Sequence, residues 1–355
     1  MFGWGMAFVA ALCFCAQLGR TWQAALSASE VSGGMRVYGQ SFGEFQKVVF
    51  TTRPQETPPA AAPEAQPASF RKARPVEKTF QDIRERGGVI RAEYGFTNFS
   101  GDELRISYAV SGANLRRYGK DYGYTDAELN AIDRERRKAL KNAYARALSE
   151  HLTQTRYNQL CKDIEFDFKA KRQYFIVTRG FRLEGANTVA VDIPAVVRRN
   201  AAPLNSVAQA LENTAAAKNY DSQDTVGAAL SLVQTAVLYA VPPDVDAQGR
   251  HTGGIWPPLE ALALGKGDCD TKSALLGALL SNWPGVKLLG VGVPEHYLLA
   301  MRQNPAKGEM FVEYQGEKYV LLEPAGPAWL APGSVGEHTA QLLEAGDGFR
   351  LEPFV

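Results

Sequence analysis

The stretch at residues 265–280, GKGDCDTKSALLGALL, constrains the fold of this chain more than any other. Gly265 and Gly267 allow a tight turn and a close approach of neighbouring backbone. The apolar residues that follow recur at helical spacing, and they are Ala274, Leu275, Ala278 and Leu279. The stretch therefore predicts a turn into a buried helix that starts at Cys269.

The predicted position of Cys269 has a chemical consequence. Unpaired N–H groups and the positive end of the helix dipole favour a thiolate, the nucleophilic form of cysteine. Asp270 is expected to cap the helix. Asp268 and Asp270 flank a single thiol without converging on a shared point, so neither a metal nor another cofactor is expected.

Two residues further along the chain complete a possible catalytic group. His296 follows the apolar run 286–293 and precedes a second run, which predicts that it begins a strand. Glu323 closes a similar run at 319–323. Cys269, His296 and Glu323 are separated by two equal intervals of 27 residues, which leave room for a helix followed by antiparallel strands. A cysteine at a helix end, a histidine and a carboxylate are the groups that nucleophilic thiol catalysis uses.

The segments WPPLEALALGKGDCDTKSALL, PEHYLLA and YVLLEPAGP follow one another in the chain. In this order they resemble the transglutaminase-like superfamily of papain-related cysteine enzymes, bacterial type, over residues 225–333. The resemblance implies an α+β papain/transglutaminase-like domain, in which the helix bearing the cysteine packs on an antiparallel sheet. It also implies a catalytic triad of Cys269, His296 and Glu323, with Glu where many relatives have Asp.

The resemblance implies a thiol-dependent acyl-transfer enzyme that hydrolyses a peptide or amide bond through a thioester acyl-enzyme. A protein-crosslinking transglutaminase and a non-catalytic protein-binding module on the same fold stay open as alternatives. The N–H of Cys269 is one natural donor to an oxyanion. Gln234 is expected as a second donor or as a core-capping residue, and Trp256 as a wall of the substrate channel or a packing aromatic. The expected partner is a protein or peptide substrate.

Composition narrows the function classes. The chain has 355 residues, of which 45% are hydrophobic, so it can bury a sizeable core, and its length suggests about two domains. A net charge of +1 argues against general nucleic-acid binding. Four cysteines, at positions 13, 15, 161 and 269, are too few and too irregularly spaced for a disulfide framework or a zinc site. A disulfide between Cys161 and Cys269 stays an alternative.

The N-terminal 75 residues show no pattern of a packed domain. Residues 2–19 carry no charge, which predicts a signal peptide or membrane anchor over residues 1–28. A periplasmic or exported protein is therefore expected. Its N-terminal segment could also tether it to a membrane. Because no Lys or Arg precedes the apolar run, an anchor with the opposite, cytoplasmic-facing orientation stays open. Residues 29–75 are rich in Pro and Ala and are predicted to be a disordered tether.

The remaining chain is predicted to form two folded units joined by a linker helix at 201–221. The first unit, residues 76–200, is a smaller accessory α+β domain, and the second, residues 222–355, is the transglutaminase-like catalytic domain. Within the first unit, apolar alternation predicts a strand at 104–110, and a capping box predicts a helix over about 126–152. Two further strands are predicted at 173–178 and 188–193.

Overall fold

A computed structural model describes residues 79–184, 188–346 and 348–354 of the chain. The predicted signal peptide or anchor at 1–28 and the tether at 29–75 lie outside these residues. Among the described residues, none of the helices combines the length and the apolar character that crossing a membrane would need.

The described chain begins with a three-stranded antiparallel sheet in the order β1–β2–β3. Its strands are β1 (Phe80–Arg86), β2 (Val89–Thr97) and β3 (Glu103–Ser111). Buried and exposed residues alternate along most of β3, so the strand predicted from alternation at 104–110 is confirmed.

A helical segment follows, made of α1 (Gly112–Lys120), the short strand β4 (Tyr124–Thr125), α2 (Asp126–Ser149) and α3 (Gln154–Thr178). The predicted capping box is confirmed, because the Glu128 N–H donates to Thr125 Oγ1 at 3.3 Å and the Thr125 N–H to Glu128 Oε2 at 2.8 Å. The strand predicted at 173–178 is wrong, since these residues form the last turns of α3. A short apolar run does not distinguish strand from helix. Here a helix that starts at the Thr153 cap continues through the run while packing against α2.

The segment that sequence analysis assigned as a linker contributes to the core. It follows β5 (Phe181–Glu184), β6 (Thr188–Val191) and α4 (Ile193–Asn200). It contains a short 3₁₀ turn (Ala202–Leu204) and α5 (Asn205–Ala217). Val207 and Leu211 of α5 are buried in the same apolar cluster as Tyr94 of β2 and Ile106 of β3. The same cluster includes residues on both sides of this segment, so one core spans the two predicted units.

The elements around Cys269 come next. They are α6 (Ser222–Ser231), a π-helical turn (Leu232–Ala236), β7 (Leu238–Tyr239), β8 (Arg250–His251), α7 (Pro258–Leu264), β9 (Lys266–Gly267) and α8 (Cys269–Leu280). Strand β8 pairs with β4, and β7 pairs in parallel with β9. Helix α8 is buried from Thr271 to Leu280, as the apolar pattern predicted.

The C-terminal part is a five-stranded antiparallel sheet in the order β12–β13–β11–β10–β14. It is built from β10 (Leu288–Val293), β11 (His296–Arg302), β12 (Phe311–Tyr314), β13 (Glu317–Leu322), α9 (Glu337–Ala345) and β14 (Arg350–Pro353). Alternate residues of β11 join two apolar clusters. Tyr297 and Leu299 pack with α8, whereas Leu298 and Ala300 pack with Leu343 of α9. The fold is therefore α+β, with a buried helix on an antiparallel sheet.

Candidate active site

The start of α8 is fixed by a turn and a cap. Gly265 adopts a left-handed conformation (φ 65°) that ends α7, and the chain then passes through β9 to Asp268. Asp268 is the residue that caps α8, because its Oδ1 accepts the Thr271 N–H at 3.0 Å. The predicted cap, Asp270, is therefore wrong. A capping residue has extended backbone outside the helix, whereas Asp270 already lies in the first turn, with Oδ1 3.7 Å from Cys269 Sγ.

Helix α8 is attached to the sheet beside this first turn. Ser273 donates a hydrogen bond to the Tyr297 carbonyl at 2.9 Å. The backbone N–H of Tyr297 in turn favours the ionised form of the Cys269 thiol and so lowers its pKa. His296, directly before Tyr297, is the first residue of β11, as predicted. The thiol therefore lies at the end of the sheet where β11 begins.

His296 and Glu323 form a direct pair at the same end of the sheet. His296 Nε2 lies 2.9 Å from Glu323 Oε2 and 3.1 Å from Oε1. Glu323 is only 3% exposed. Its carboxylate accepts hydrogen bonds from Thr339 Oγ1 at 3.1 Å and from the Ala325 N–H at 3.3 Å. Because Nε2 of His296 pairs with Glu323, Nδ1 is the ring nitrogen that has no contact with this carboxylate.

Opposing effects set the pKa of His296. Burial favours the neutral ring, but the hydrogen bond and charge of Glu323 favour the imidazolium, and Asp270 adds to them. The net result is a pKa raised above the usual value. The pair therefore stabilises the protonated form of His296, which a catalytic base must pass through.

The electrostatics of Cys269 differ from the prediction. Burial, followed by the charges of Asp270 and Asp268, raises the pKa of the thiol to about 12, although the N–H groups of Tyr297 and Asp270 oppose this. The prediction of a resting thiolate is thus wrong. A helix terminus stabilises a thiolate by about 0.3–1 kcal/mol, which lowers the thiol pKa by less than one unit. Burial and the two carboxylates raise the pKa by more than this. Cys161 and Cys269 are both free cysteines.

Asp270 contacts the Cys269 sulfur and also acts on His296 through its charge. Burial and the neighbouring Asp268 raise its pKa to about 6, while Cys269, Arg350 and His296 favour its ionised form. At neutral pH its carboxylate is therefore charged, and it acts on both the thiol and the imidazole.

Asp270→Asn is expected to increase the reactivity of Cys269. Removing one negative charge beside the sulfur lowers the thiol pKa, and each unit of pKa is tenfold in thiolate fraction, so alkylation near pH 8 is expected to rise roughly 3- to 10-fold. The rate is read from the iodoacetamide-modified Cys269 peptide by mass spectrometry. Asp163→Asn, an exposed carboxylate on α3, is the matched control. An unchanged alkylation rate in Asp270→Asn would show that this carboxylate does not act on the thiol.

Of the two roles expected for Gln234, oxyanion donor and core-capping residue, the contacts of its side chain favour the second. The π-helical turn places its buried side chain against the segment after β13. Its Nε2 donates to the Glu323 carbonyl at 2.5 Å and to the Leu330 carbonyl at 3.4 Å, and its Oε1 accepts the Leu330 N–H at 2.7 Å. Both amide hydrogens are therefore used within the protein, and Gln234 positions the backbone that carries Glu323.

Trp256 lies beside the first turn of α8. Its backbone N–H donates to Thr271 Oγ1 at 3.3 Å, and its half-buried ring lies 5.0 Å from the Lys266 ammonium. A role as a wall of the substrate channel stays a prediction.

Sequence reasoning missed Lys272. This side chain is fully buried on α8, and its Nζ donates to the Gln234 carbonyl at 3.3 Å. Burial lowers its pKa to about 8, and the charge of Glu323 partly opposes the shift. A lysine in the first turns of a helix predicted to be buried was the available signal, because lysine is rarely buried without a partner.

Tyr239 was also missed. Its side chain is 49% exposed on β7. Burial raises the pKa of its phenol, and Cys269, Asp268 and Asp270 raise it further, which places the ring near the thiol. In the sequence it lies within a uniform apolar run, which gave no signal.

Comparison of the chain with protein-family models, curated proteins and solved structures finds no match. Within the described residues, no group of three or more His, Cys, Asp or Glu side chains is arranged to hold a metal ion.

Proposed function

We propose that this protein is a thiol-dependent acyl-transfer enzyme of the transglutaminase-like type that hydrolyses a peptide or amide bond. Cys269 is the nucleophile, His296 the general base and acid, and Glu323 the group that orients the ring. The observation that carries the proposal is the partly buried His296–Glu323 pair at the sheet end where the helix bearing Cys269 begins. The packing of α8 on an antiparallel sheet supports a papain-like fold for residues 222–355.

The chemistry follows from the position of each group. His296 Nδ1 takes the thiol proton while the Cys269 sulfur forms a bond to the substrate carbonyl carbon. The carbon–nitrogen bond then breaks, and the imidazolium returns the proton to the departing amine, leaving a thioester. Water attacks this thioester with His296 again as base. The carbon–sulfur bond breaks, the sulfur regains a proton and the acid is released.

The raised pKa of Cys269 sets the order of these events. Because the thiol is neutral at rest, its proton moves to His296 during the attack and not before substrate arrives. The neutral ring is required for this step, so the rate rises with pH through the raised pKa of His296. The backbone N–H of Cys269 is the proposed donor to the oxyanion.

A non-catalytic protein-binding module is the second candidate. Two observations favour it, namely the thiol whose pKa is raised to about 12 and the amide of Gln234, which is used within the protein. In either case the proposed partner is a protein or peptide. Residues 1–28 are proposed to direct the chain to the periplasm or to anchor it in a membrane.

A simple acyl donor tests the proposal. We expect wild-type protein treated with p-nitrophenyl acetate to release a burst of p-nitrophenolate and to carry an acetyl group on Cys269, identified by peptide mass spectrometry. His296→Ala should suppress the burst and the acetylation. If acetyl groups were spread over surface lysines while Cys269 stayed unmodified, the proposal of an enzyme would be overturned. The protein-binding module would then be the remaining candidate.

The acceptor separates hydrolysis from crosslinking. When a primary amine such as glycine methyl ester is added, a hydrolase should release mainly acetate, whereas a crosslinking enzyme should incorporate the amine. Predominant formation of the acetylated amine would overturn hydrolysis in favour of a transamidase.

A further inference from the structure

An exposed apolar surface lies next to the candidate active site. Leu238 and Tyr239 of β7 are 59% and 49% exposed, and Val241, two residues further on, is 70% exposed. We call these three residues the β7 ridge. The surrounding run at residues 237–243, VLYAVPP, contains no charge. Neighbouring large apolar side chains in water indicate a binding surface more often than a single exposed one does.

Within the part of the chain that the structure describes, one edge of the ridge backbone is unpaired. The Leu238 N–H donates to the Gly265 carbonyl at 2.9 Å, and the Ala240 N–H donates to the Gly267 carbonyl at 3.1 Å. Successive residues of a strand present their N–H and C=O groups to opposite edges. Tyr239 therefore directs its backbone groups away from β9, and none of the described strands other than β9 pairs with β7. An unpaired edge of this kind accepts an additional strand.

The free edge is close to the thiol. Tyr239 lies opposite Gly267, two residues before Cys269. The effect of Cys269, Asp268 and Asp270 on the Tyr239 phenol also places this side chain near the sulfur. A chain paired with β7 would thus pass beside the nucleophile. The two carboxylates near the ring disfavour an acidic segment there.

Resting on the proposed function, we infer that the β7 ridge binds the substrate as an extended peptide strand with apolar side chains. The peptide pairs through its backbone with the N–H and C=O of Tyr239, and its side chains cover Leu238 and Val241. Backbone pairing supplies affinity without sequence preference, whereas the ridge selects apolar over acidic residues.

A binding assay tests this without requiring turnover. Fluorescent peptide pools are titrated against full-length protein carrying Cys269→Ala, with anisotropy as the readout. One pool alternates Val or Leu with Ser, and the second has Asp in place of the apolar residues. We expect the apolar pool to bind at least about tenfold more tightly. The preference should be lost in Val241→Asp and kept in Phe166→Asp, an exposed apolar residue on α3 that serves as the matched control.

A backbone-methylated version of the apolar pool checks the pairing. Methylation of alternate amides removes the donors that an added strand needs, so this pool should bind like the acidic one. Equal binding of the apolar and acidic pools, unchanged binding in Val241→Asp, or full binding of the methylated pool would overturn the inference.

The outcomes for the two proposals can be told apart. If p-nitrophenyl acetate acetylates Cys269 but the pools bind equally, the inference alone fails. If the pools are distinguished but Cys269 is never acetylated, the ridge is a peptide-binding site of a non-enzyme, and the substrate assignment is overturned together with the proposed function.

Discussion

Glu323→Gln is expected to slow acyl transfer by about 10²- to 10⁴-fold while the protein stays folded. In the wild-type protein both oxygens of the Glu323 carboxylate lie within hydrogen-bond distance of His296 Nε2, which leaves Nδ1 as the basic nitrogen. A glutamine amide donates at the same position, which favours the other tautomer with the proton on Nδ1. That nitrogen then cannot take the proton of Cys269. The measurement is the rate of p-nitrophenolate release from p-nitrophenyl acetate.

The same substitution should move the pH profile. Glu323 holds the pKa of His296 above its usual value against the effect of burial. Without this charge the pKa of the ring falls, so the rise of the residual rate with pH should move to lower pH. A purely structural defect would reduce the rate without moving this limb of the profile.

Glu323→Asp is the matched control for the loss of charge. It keeps the carboxylate but shortens its reach, so its rate should lie between those of wild type and Glu323→Gln. Far-ultraviolet circular dichroism confirms folding in each variant. If Glu323→Gln retained the wild-type rate, Glu323 would not orient the base and the triad would reduce to Cys269 and His296.

The parts of this molecule that the sequence predicts correctly depend on local patterns. The apolar residues that recur at helical spacing after Cys269 predict the buried helix α8, and they are Ala274, Leu275, Ala278 and Leu279. The strand starting at His296 is visible for a similar reason, since an apolar run marks the central strand of a covered sheet. Both predictions need only neighbouring residues, so no knowledge of the rest of the fold is required.

The features that the sequence does not predict depend on distant contacts. The two roles expected for Gln234, oxyanion donor and core-capping residue, could not be distinguished while its partners, the Glu323 and Leu330 carbonyls, were unknown. The thiol pKa of Cys269 follows from the burial that the complete fold produces, which outweighs the local effect of the helix terminus. The cap of α8 depends on the residue at which the helix begins. Asp268 directly precedes the first helical residue, whereas Asp270 follows it, and the sequence pattern does not locate this boundary to one residue.

Lys272→Met is expected to abolish a pH-dependent part of the stability. The folded pKa of Lys272 is lowered to about 8 from an ordinary value of 10.5, because the fold buries its charge. Between these two values the unfolded chain binds more protons than the folded one, so this residue makes stability rise with pH. Relative to Lys272→Met, the wild-type free energy of unfolding should gain about 3 kcal/mol from pH 8 to pH 10.5.

Urea unfolding of both proteins across this pH range measures the difference. Cys269, whose pKa is raised, works in the opposite direction above about pH 9, but it is present in both proteins and cancels. Lys307→Met, an exposed lysine, is the matched control and should show no such difference. Below pH 8, Lys272→Met should be as stable as wild type or more stable, because methionine fills the site without a buried charge. A difference that does not vary with pH would mean that Lys272 keeps an ordinary pKa, so that its ammonium is solvated or fully paired in the folded protein.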